Sequence, residues 1–521
     1  MNVFKKTALF LTLFLVENLY SQSSEFDGFV LYNKQNQNIA YLIDKDGNIA
    51  HTWNCDLACN YTVLLKNNGN IVRGTINPGN QLGGAAQGGM VQEIDPNGNV
   101  VWEFIYSDAT HLSHHDITLV NDNVLLTAWE VKTPSELTQA GYEGATSDKW
   151  PTHFIEVAHD GSGGGEIVWE WHIWDHLIQD YDPSKDNYGS IAEHPELIDV
   201  NMVDVAGGGP GGGGPGGGGP GGAGGDWFHV NGVDYNAELD QIAFSSRHTS
   251  EIYIIDHSTT TEEAAGHTGG NSGVGGDIMY RWGNPSNYGA PGAQQIPSAV
   301  HDVRWITNDG RPNGGFLQFY NNSGAVNTST VDAIETPWNG YSYDLVDGQS
   351  FSPSSNTWRH ICEGFSSGQS SQDRMSNGNV FVNMSGGQGG AGYMYEADSL
   401  GTVIWQYNAG GTEKAFRYEC KHPGIIALLD NPCGDQNNTN IQENYFNQFV
   451  ISPNPTNSTF EINGLDNKDF ELEVINELGE PIQPRYNDGI IDLSNFPNGL
   501  YFVRIYSSEG FYVTKSVSLV K

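Results

Sequence analysis

Positive charge is scarce in this chain. Its 521 residues carry 23 lysines and arginines against 62 aspartates and glutamates, a formal charge of 23 − 62 = −39. Phosphate binding needs a basic surface, so nucleic acid is excluded as a partner. A polyanionic glycan is an awkward partner except at a local basic site. The acidity fits solubility in a salty medium. Long apolar runs are also missing. The run Thr7 to Val16 is too short for a membrane-spanning helix, and no later stretch is long enough. No membrane span is expected, and the mature protein should be soluble or surface-attached. Cysteines are few, at five. A zinc site at Cys55-x-x-x-Cys59 lacks the second pair such sites need. In an exported chain some cysteines pair. Cys420 and Cys433 are spaced to staple the end of a large body, and Cys55 with Cys59 to close a small loop, leaving Cys362 free. Spacing alone does not fix the connectivity.

Export itself is read from the first residues. Lys5 and Lys6 precede the apolar run, and Ser21 supplies a small residue for cleavage, so residues 1–21 read as a signal peptide. The remaining ~500 residues exceed one ordinary core and predict a repeated body plus a further domain. Glycine is abundant at 66, with 13 tryptophans and 24 tyrosines, a composition of many short strands and tight turns.

Two patterns recur. One is an acidic residue, a turn, an apolar pair and then tryptophan, as in Asp46 to Trp53, Asp95 to Trp102, Glu166 to Trp169, Asp277 to Trp282 and Asp398 to Trp405. The other is a hairpin turn between alternating strands, at Asn68-Gly69-Asn70, Asn121-Asp122-Asn123, Leu239-Asp240, Asn308-Asp309-Gly310 and Asn377-Gly378-Asn379. Such turns tolerate positive φ. The patterns alternate, each pair making one four-stranded antiparallel sheet. Five or six units at a period of roughly 50 residues or more predict an all-β fold, a β-propeller. The first unit, Phe29 to Trp53, holds only outer strands, and Phe416 to Leu429 is expected to supply the missing inner ones.

The predicted domains are the signal peptide, a propeller over 22–433, a polar linker at 434–447 and a small C-terminal β-sandwich at 448–521. Within the propeller, residues 207–225 form a Gly/Pro-rich loop that cannot bury a core. Trp171 to Val205 reads as an excursion, helical around Trp174 to Asp180. The tail opens with Ser452-Pro453-Asn454-Pro455 and carries Asn498-Gly499-Leu500-Tyr501-Phe502-Val503. It resembles the type IX secretion sorting domain of Bacteroidetes. That resemblance implies passage through the periplasm and across the outer membrane by the type IX machinery, to the surface or the medium.

Three predicted innermost strands begin with histidine, at His115-Asp116-Ile117, His229-Val230-Asn231 and His301-Asp302-Val303. In equivalent sheets their side chains converge at one mouth of the channel. A hairpin turning near Glu238 puts Arg247 opposite His229, and one around Pro312 puts Asn321 or Asn322 opposite His301. Three imidazoles with a guanidinium suit a tetrahedral oxyanion. Arg247 disfavours a divalent cation among the same histidines, so neither metal nor cofactor is expected there. A neutral imidazole can serve as nucleophile or general base.

The segments Phe228 to Asn231, Phe244 to His248, Tyr280 to Pro285, Val300 to Asp302, His115-Asp116 and Arg374 to Asn379 resemble the arylsulfotransferase family, a likeness running over most of 28–430. It implies a six-bladed propeller that moves a sulfuryl group from an aryl sulfate ester to a phenol through a sulfated histidine, without a nucleotide donor. By position His301 matches the nucleophile. His115, His229 and Arg247 match the groups that hold the sulfuryl oxygens and assist proton transfer. Asn322, from the pairing argument and not from the resemblance, is expected to bind substrate beside them. The alternatives are a non-catalytic secreted propeller binding a glycan or protein, a quinone-dependent dehydrogenase suggested by the Gly-x-apolar-Trp repeat, and a histidine-metal hydrolase.

Overall fold

The computed structural model describes residues 25–521 apart from 85, 204–224, 293–295, 387–391, 434–449, 464–469, 477–480, 488–489 and 508–511. The expected signal peptide, the linker and nearly all of the glycine-rich stretch lie outside the described residues. The chain divides into two compact units, Met1–Pro432 and Cys433–Lys521.

The first unit holds six four-stranded antiparallel sheets among its described residues. Their innermost strands are Ala415–Glu419, Cys59–Leu65, His111–Val120, Val230–Asn236, His301–Trp305 and Ser371–Arg374. Each of these touches the next, and the last touches the first, so the sheets close a propeller ring. Burial follows position in the sheet. Every residue of the inner strand Cys59–Leu65 is buried, whereas in the outer strand Val100–Ile105 only Trp102 is. An inner strand is covered on both faces by neighbouring sheets, and an outer one is wetted.

The first sequence pattern acquires a physical cause. The recurrent acidic residue caps a turn. Asp95 Oδ1 accepts from the backbone N–H of Asn97 and Asn99, each at 2.8 Å. Asp398 does the same for Leu400 and Thr402. In two units the cap is corrected to a residue upstream of the expected one: Asp44, not Asp46, accepts from Asp46 and Asn48, and Asp160, not Glu166, accepts from Ser162 and Gly164. The turn then needs a left-handed residue, supplied by Gly98 at φ 87°. The recurrent tryptophans Trp53, Trp102, Trp169, Trp282 and Trp405 are all buried. Each removes about 150–250 Å² from water, roughly 4–6 kcal/mol of gross transfer energy. They are packing residues between sheets.

Closure departs from expectation in one respect. Ala415–Glu419 pairs with Gly28–Asn33 and is the single inner strand that the first sheet lacked. The chain then turns helical over Pro423–Leu428, where strand was expected. Pro423 at the first helical turn starts it, and His422 accepts from the Gly424 N–H as the cap. The excursion also differs. The expected helix is one 3₁₀ turn, Ile173–His176, followed by Leu177–Ile178 pairing in parallel with Ile198–Asp199. Cys420 and Cys433 are disulfide-bonded. Cys55 and Cys59, expected to pair, are free and buried, as is Cys362.

The second unit is two four-stranded sheets. One is formed by Val450–Ser452, Thr459–Asn463, Ile490–Asp492 and Arg485–Asn487. The other is formed by Pro481–Ile482, Phe470–Asn476, Gly499–Ser507 and Tyr512–Leu519. Phe460, Leu493, Val503, Ile505 and Val517 form its core. Among the described residues no helix is long and apolar enough to cross a membrane.

Candidate active site

Bulges in the innermost strands set the site. Register shifts fall between Ser113 and Ile117, between Val230 and Gly232, and between His301 and Arg304. A bulge re-aims side chains and increases local twist. At or just before each one a non-glycine residue takes left-handed backbone: His115 at φ 51°, His229 at φ 55° and Asp302 at φ 53°. Such residues cost about 1–3 kcal/mol each and cluster at functional sites. One expectation is corrected here. His115 lies inside its strand, which begins at His111, and His229 precedes the strand Val230–Asn236. Only His301 opens its strand.

The histidines do converge. The rings of His115 and His229 are 4.6 Å apart between centroids, at 71°. His301 is within electrostatic reach of His115, His229 and Arg247. Arg247 is placed as the pairing argument required, its N–H donating to the carbonyl of His229 at 3.1 Å. Its Nη1 donates to Ser367 O at 3.0 Å. The partner of His301 is corrected. Tyr320 lies opposite it in the ladder, because the bulge shifts the register. Asn322 still reaches the site through its side chain, with Oδ1 2.7 Å from His301 Nδ1. Asn321 turns away to Asp332.

The hydrogen bonds assign tautomers. His301 Nδ1 faces two acceptors, Asn322 Oδ1 and, at 2.9 Å, Ala299 O. The Asn322 amide is oriented by its Nδ2, which donates to Ser366 O at 2.9 Å and Gln369 O at 3.2 Å. Nδ1 therefore carries the hydrogen, and Nε2 keeps its lone pair. His229 Nδ1 donates to the Asp226 carboxylate, and the Trp129 indole donates to the other oxygen of Asp226 at 3.1 Å. His115 Nδ1 lies 2.7 Å from His114 Nδ1, and His114 stacks on Trp129 at 3.9 Å.

Burial, then Arg247 and His229, push the His301 imidazole well below its ordinary range. Burial also lowers His115, helped by His229, His114, His301 and Lys414. Burial would raise Asp226, but His229 outweighs it and the carboxyl is held below its usual range. The cluster thus offers neutral imidazoles, one carboxylate-supported histidine and a guanidinium.

Beneath the histidines lies a buried ion triad absent from the sequence reading. Lys414 Nζ is 2.6 Å from Asp116 Oδ2 and 2.9 Å from Asp302 Oδ1. Each carboxylate belongs to the residue that follows a site histidine. Asp116 also accepts from Thr62 Oγ1 and from the Val233 N–H, and Asp302 from the Gln372 N–H. This one network joins five of the innermost strands through residues flanking the site. Lys414 carried no local signal, being a single charge in a chain with 85 charged residues (23 + 62). Asp226, three residues before His229 and paired with it, did carry one that the sequence reading missed.

A family model described as arylsulfotransferase (ASST) matches residues 12–423. The chain belongs to the arylsulfotransferase family. A second model, described as a secretion system C-terminal sorting domain, matches residues 450–519. As a family member the protein is a sulfotransferase acting in aryl sulfotransfer, and its sorting domain makes it secreted or cell-surface. No curated protein matches the chain. Among solved structures it is similar to a Bacteroides caccae protein of unknown function, at 12% identity and TM-score 0.41, covering 75% of this chain and 98% of that one. It is also similar to the β-propeller domain of Myceliophteria thermophila Cps50 (Swd1), at 8% identity and TM-score 0.33, covering 77% and 95%.

Proposed function

We propose that the arylsulfotransferase chemistry of this chain runs through a sulfated His301, with an aryl sulfate ester as donor and a phenol as acceptor, and without a nucleotide sulfate. The observation that carries this reading is the tautomer of His301. Its Nδ1 hydrogen is committed to Asn322 and Ala299, and among the described residues no hydrogen bond occupies Nε2. A neutral nitrogen with a fixed lone pair is a nucleophile at neutral pH.

In the first half-reaction His301 Nε2 attacks sulfur, the bond from sulfur to the aryl oxygen breaks, and the phenol leaves. In the second, the acceptor phenol oxygen attacks sulfur and the N–S bond breaks, restoring the imidazole. Charge in each transition state spreads over three sulfuryl oxygens. Arg247, His115 and His229 are the donors proposed to meet them, and fixed donors of this kind lower the barrier. His229, backed by Asp226, delivers a proton to the departing oxygen in the first step and takes one from the acceptor in the second.

The test is donor-only incubation followed by peptide mapping. One acid-labile sulfuryl group on the peptide containing His301 is expected, and none in His301→Ala. A label on His115 or His229 would move the nucleophile. Absence of any label and of any sulfated phenol, in folded protein and across several aryl sulfates, would refute the mechanism.

A further inference from the structure

Away from the channel, three side chains converge that the sulfotransfer reading does not use. His176 closes the 3₁₀ turn Ile173–His176 at the start of the excursion. Asp277 lies just before the outer strand Tyr280–Trp282 of the next sheet. His267 sits in the glycine-rich loop between them. His176 Nδ1 is 2.8 Å and His267 Nδ1 2.7 Å from the same oxygen, Asp277 Oδ1.

The other nitrogen of His176 decides how this cluster is read. His176 Nε2 lies 2.9 Å from the carbonyl oxygen of Ala264. A carbonyl only accepts, so Nε2 carries the hydrogen and a neutral ring turns its Nδ1 lone pair on a carboxylate oxygen. Two acceptors at 2.8 Å need either a second proton or a cation between them. A ligating histidine commonly donates its other N–H to a backbone carbonyl, which fixes tautomer and orientation, and His176 has that arrangement. The ring is fully buried and held parallel to the Trp171 indole at 5.6 Å and 7°. Trp171 in turn donates to Gly276 O at 2.7 Å. Backbone closes over the opposite side, where a Cβ on Gly276 would fall 1.9 Å from Ala264 O and 2.7 Å from His176 Nε2. The glycine there is a steric requirement.

We infer that His176, His267 and Asp277 bind a first-row divalent transition cation of the zinc type, outside the channel. The donor set is two imidazoles and a carboxylate, which suits Zn²⁺ or Co²⁺ over Mg²⁺ or Ca²⁺. The donor atoms lie within 4.8 Å of one another. A tetrahedral site with bonds of about 2.0–2.1 Å has edges of about 3.3 Å, so Asp277 must swing outward by some tenths of an ångström. Water completes the fourth position beside His267, whose side chain is 60% exposed and lines a cleft of about 590 Å³ with Trp174, Asp175 and His194. The ion clamps the excursion of one sheet to the loop of the next. The expectation of a metal-free chain rested on Arg247, an argument that reaches only the channel.

A second cluster, Glu130, His153 and His172, has similar spacing. There Lys132 Nζ is 2.7 Å from Glu130 Oε2, so the carboxylate charge is already paired with an ammonium, and His172 already bridges Glu130 and Glu170. It serves as the control.

The experiment is titration of the chelator-treated full chain with Zn²⁺ by calorimetry, and with Co²⁺ by visible absorption. One equivalent per chain is expected, with a Zn²⁺-dependent rise in melting temperature. His267→Ala, which removes an exposed ligand and leaves the packed His176 in place, should weaken Zn²⁺ by at least about 10–100-fold. It should also abolish the Co²⁺ band and the thermal shift while sulfotransfer at 25 °C is kept. His172→Ala should change none of these. No saturable uptake by the wild type would overturn the assignment, leaving a proton shared by His176 and Asp277. Equal binding by wild type and His267→Ala, or loss in His172→Ala instead, would equally overturn it.

Discussion

His301 Nδ1 and Asn322 Oδ1 meet at 2.7 Å, and this contact, with Ala299 O, fixes the imidazole hydrogen on Nδ1. Asn322→Ala leaves Ala299 O as the one remaining partner and lets the ring turn. The expected result is a fall of roughly 10–100-fold in the rate of donor cleavage, the scale of an ångström-level misplacement, with little change in KM. Single-turnover kinetics with an aryl sulfate measures it. A change in KM alone would show that Asn322 binds substrate without positioning His301.

Arg247→Lys keeps a charge but loses the planar fork that can grip two oxygens. Activity should fall by about two to three orders of magnitude, the usual loss for one transition-state donor, while the label on His301 still forms slowly. Rapid-quench labelling with the donor alone distinguishes this from a folding defect.

The low protonation range of His301 has a signed consequence. Burial, Arg247 and His229 all disfavour the imidazolium, so Nε2 stays unprotonated as pH falls through the ordinary imidazole value of about 6.5. An unperturbed nucleophile would lose about tenfold at one pH unit below that value. The kcat/KM for donor cleavage should instead change by less than about threefold between roughly pH 7.5 and 5.5. An acid limb centred near 6.5 would contradict a buried, neutral His301.

Lys414 Nζ pairs with two buried carboxylates at 2.6 and 2.9 Å. Lys414→Met leaves Asp116 without an ion pair among the described residues, while Asp302 keeps only Arg304, with Nε at 3.5 Å, and a broken buried pair costs about 3–5 kcal/mol. Urea unfolding should show a loss of that size. Methionine at 414 with Asp116→Asn and Asp302→Asn together should recover part of it. Full stability in Lys414→Met would mean that the triad does not hold the inner strands.

The sorting unit predicts a localisation phenotype. A chain ending at Asn447 lacks the matched residues 450–519 and should accumulate, folded, in the periplasm. Cell fractionation with an activity assay is the measurement, and unchanged appearance of the truncated form at the surface or in the medium would reject the assignment.

The repeat was legible in the sequence because turn chemistry is local. An aspartate two and four residues before the backbone N–H groups it caps, a glycine at positive φ and a tryptophan a few residues further on follow from neighbours along the chain. The placement of Arg247 opposite His229 was also reached from the hairpin turn, but only because the one-residue bulge between Val230 and Gly232 offset an assumed centre of the turn that was half a residue early. At His301 the bulge had no such offset, and Tyr320 takes the expected place of the asparagines. It failed too for Cys55 and Cys59, where four residues of spacing say nothing about side-chain direction. Lys414 and the pairing of His176 with Asp277 could be found only in three dimensions, because these contacts join residues from different sheets or loops, 101 positions apart for His176 and Asp277 and 298 for Lys414 and Asp116. Closing the ring is what brings them together.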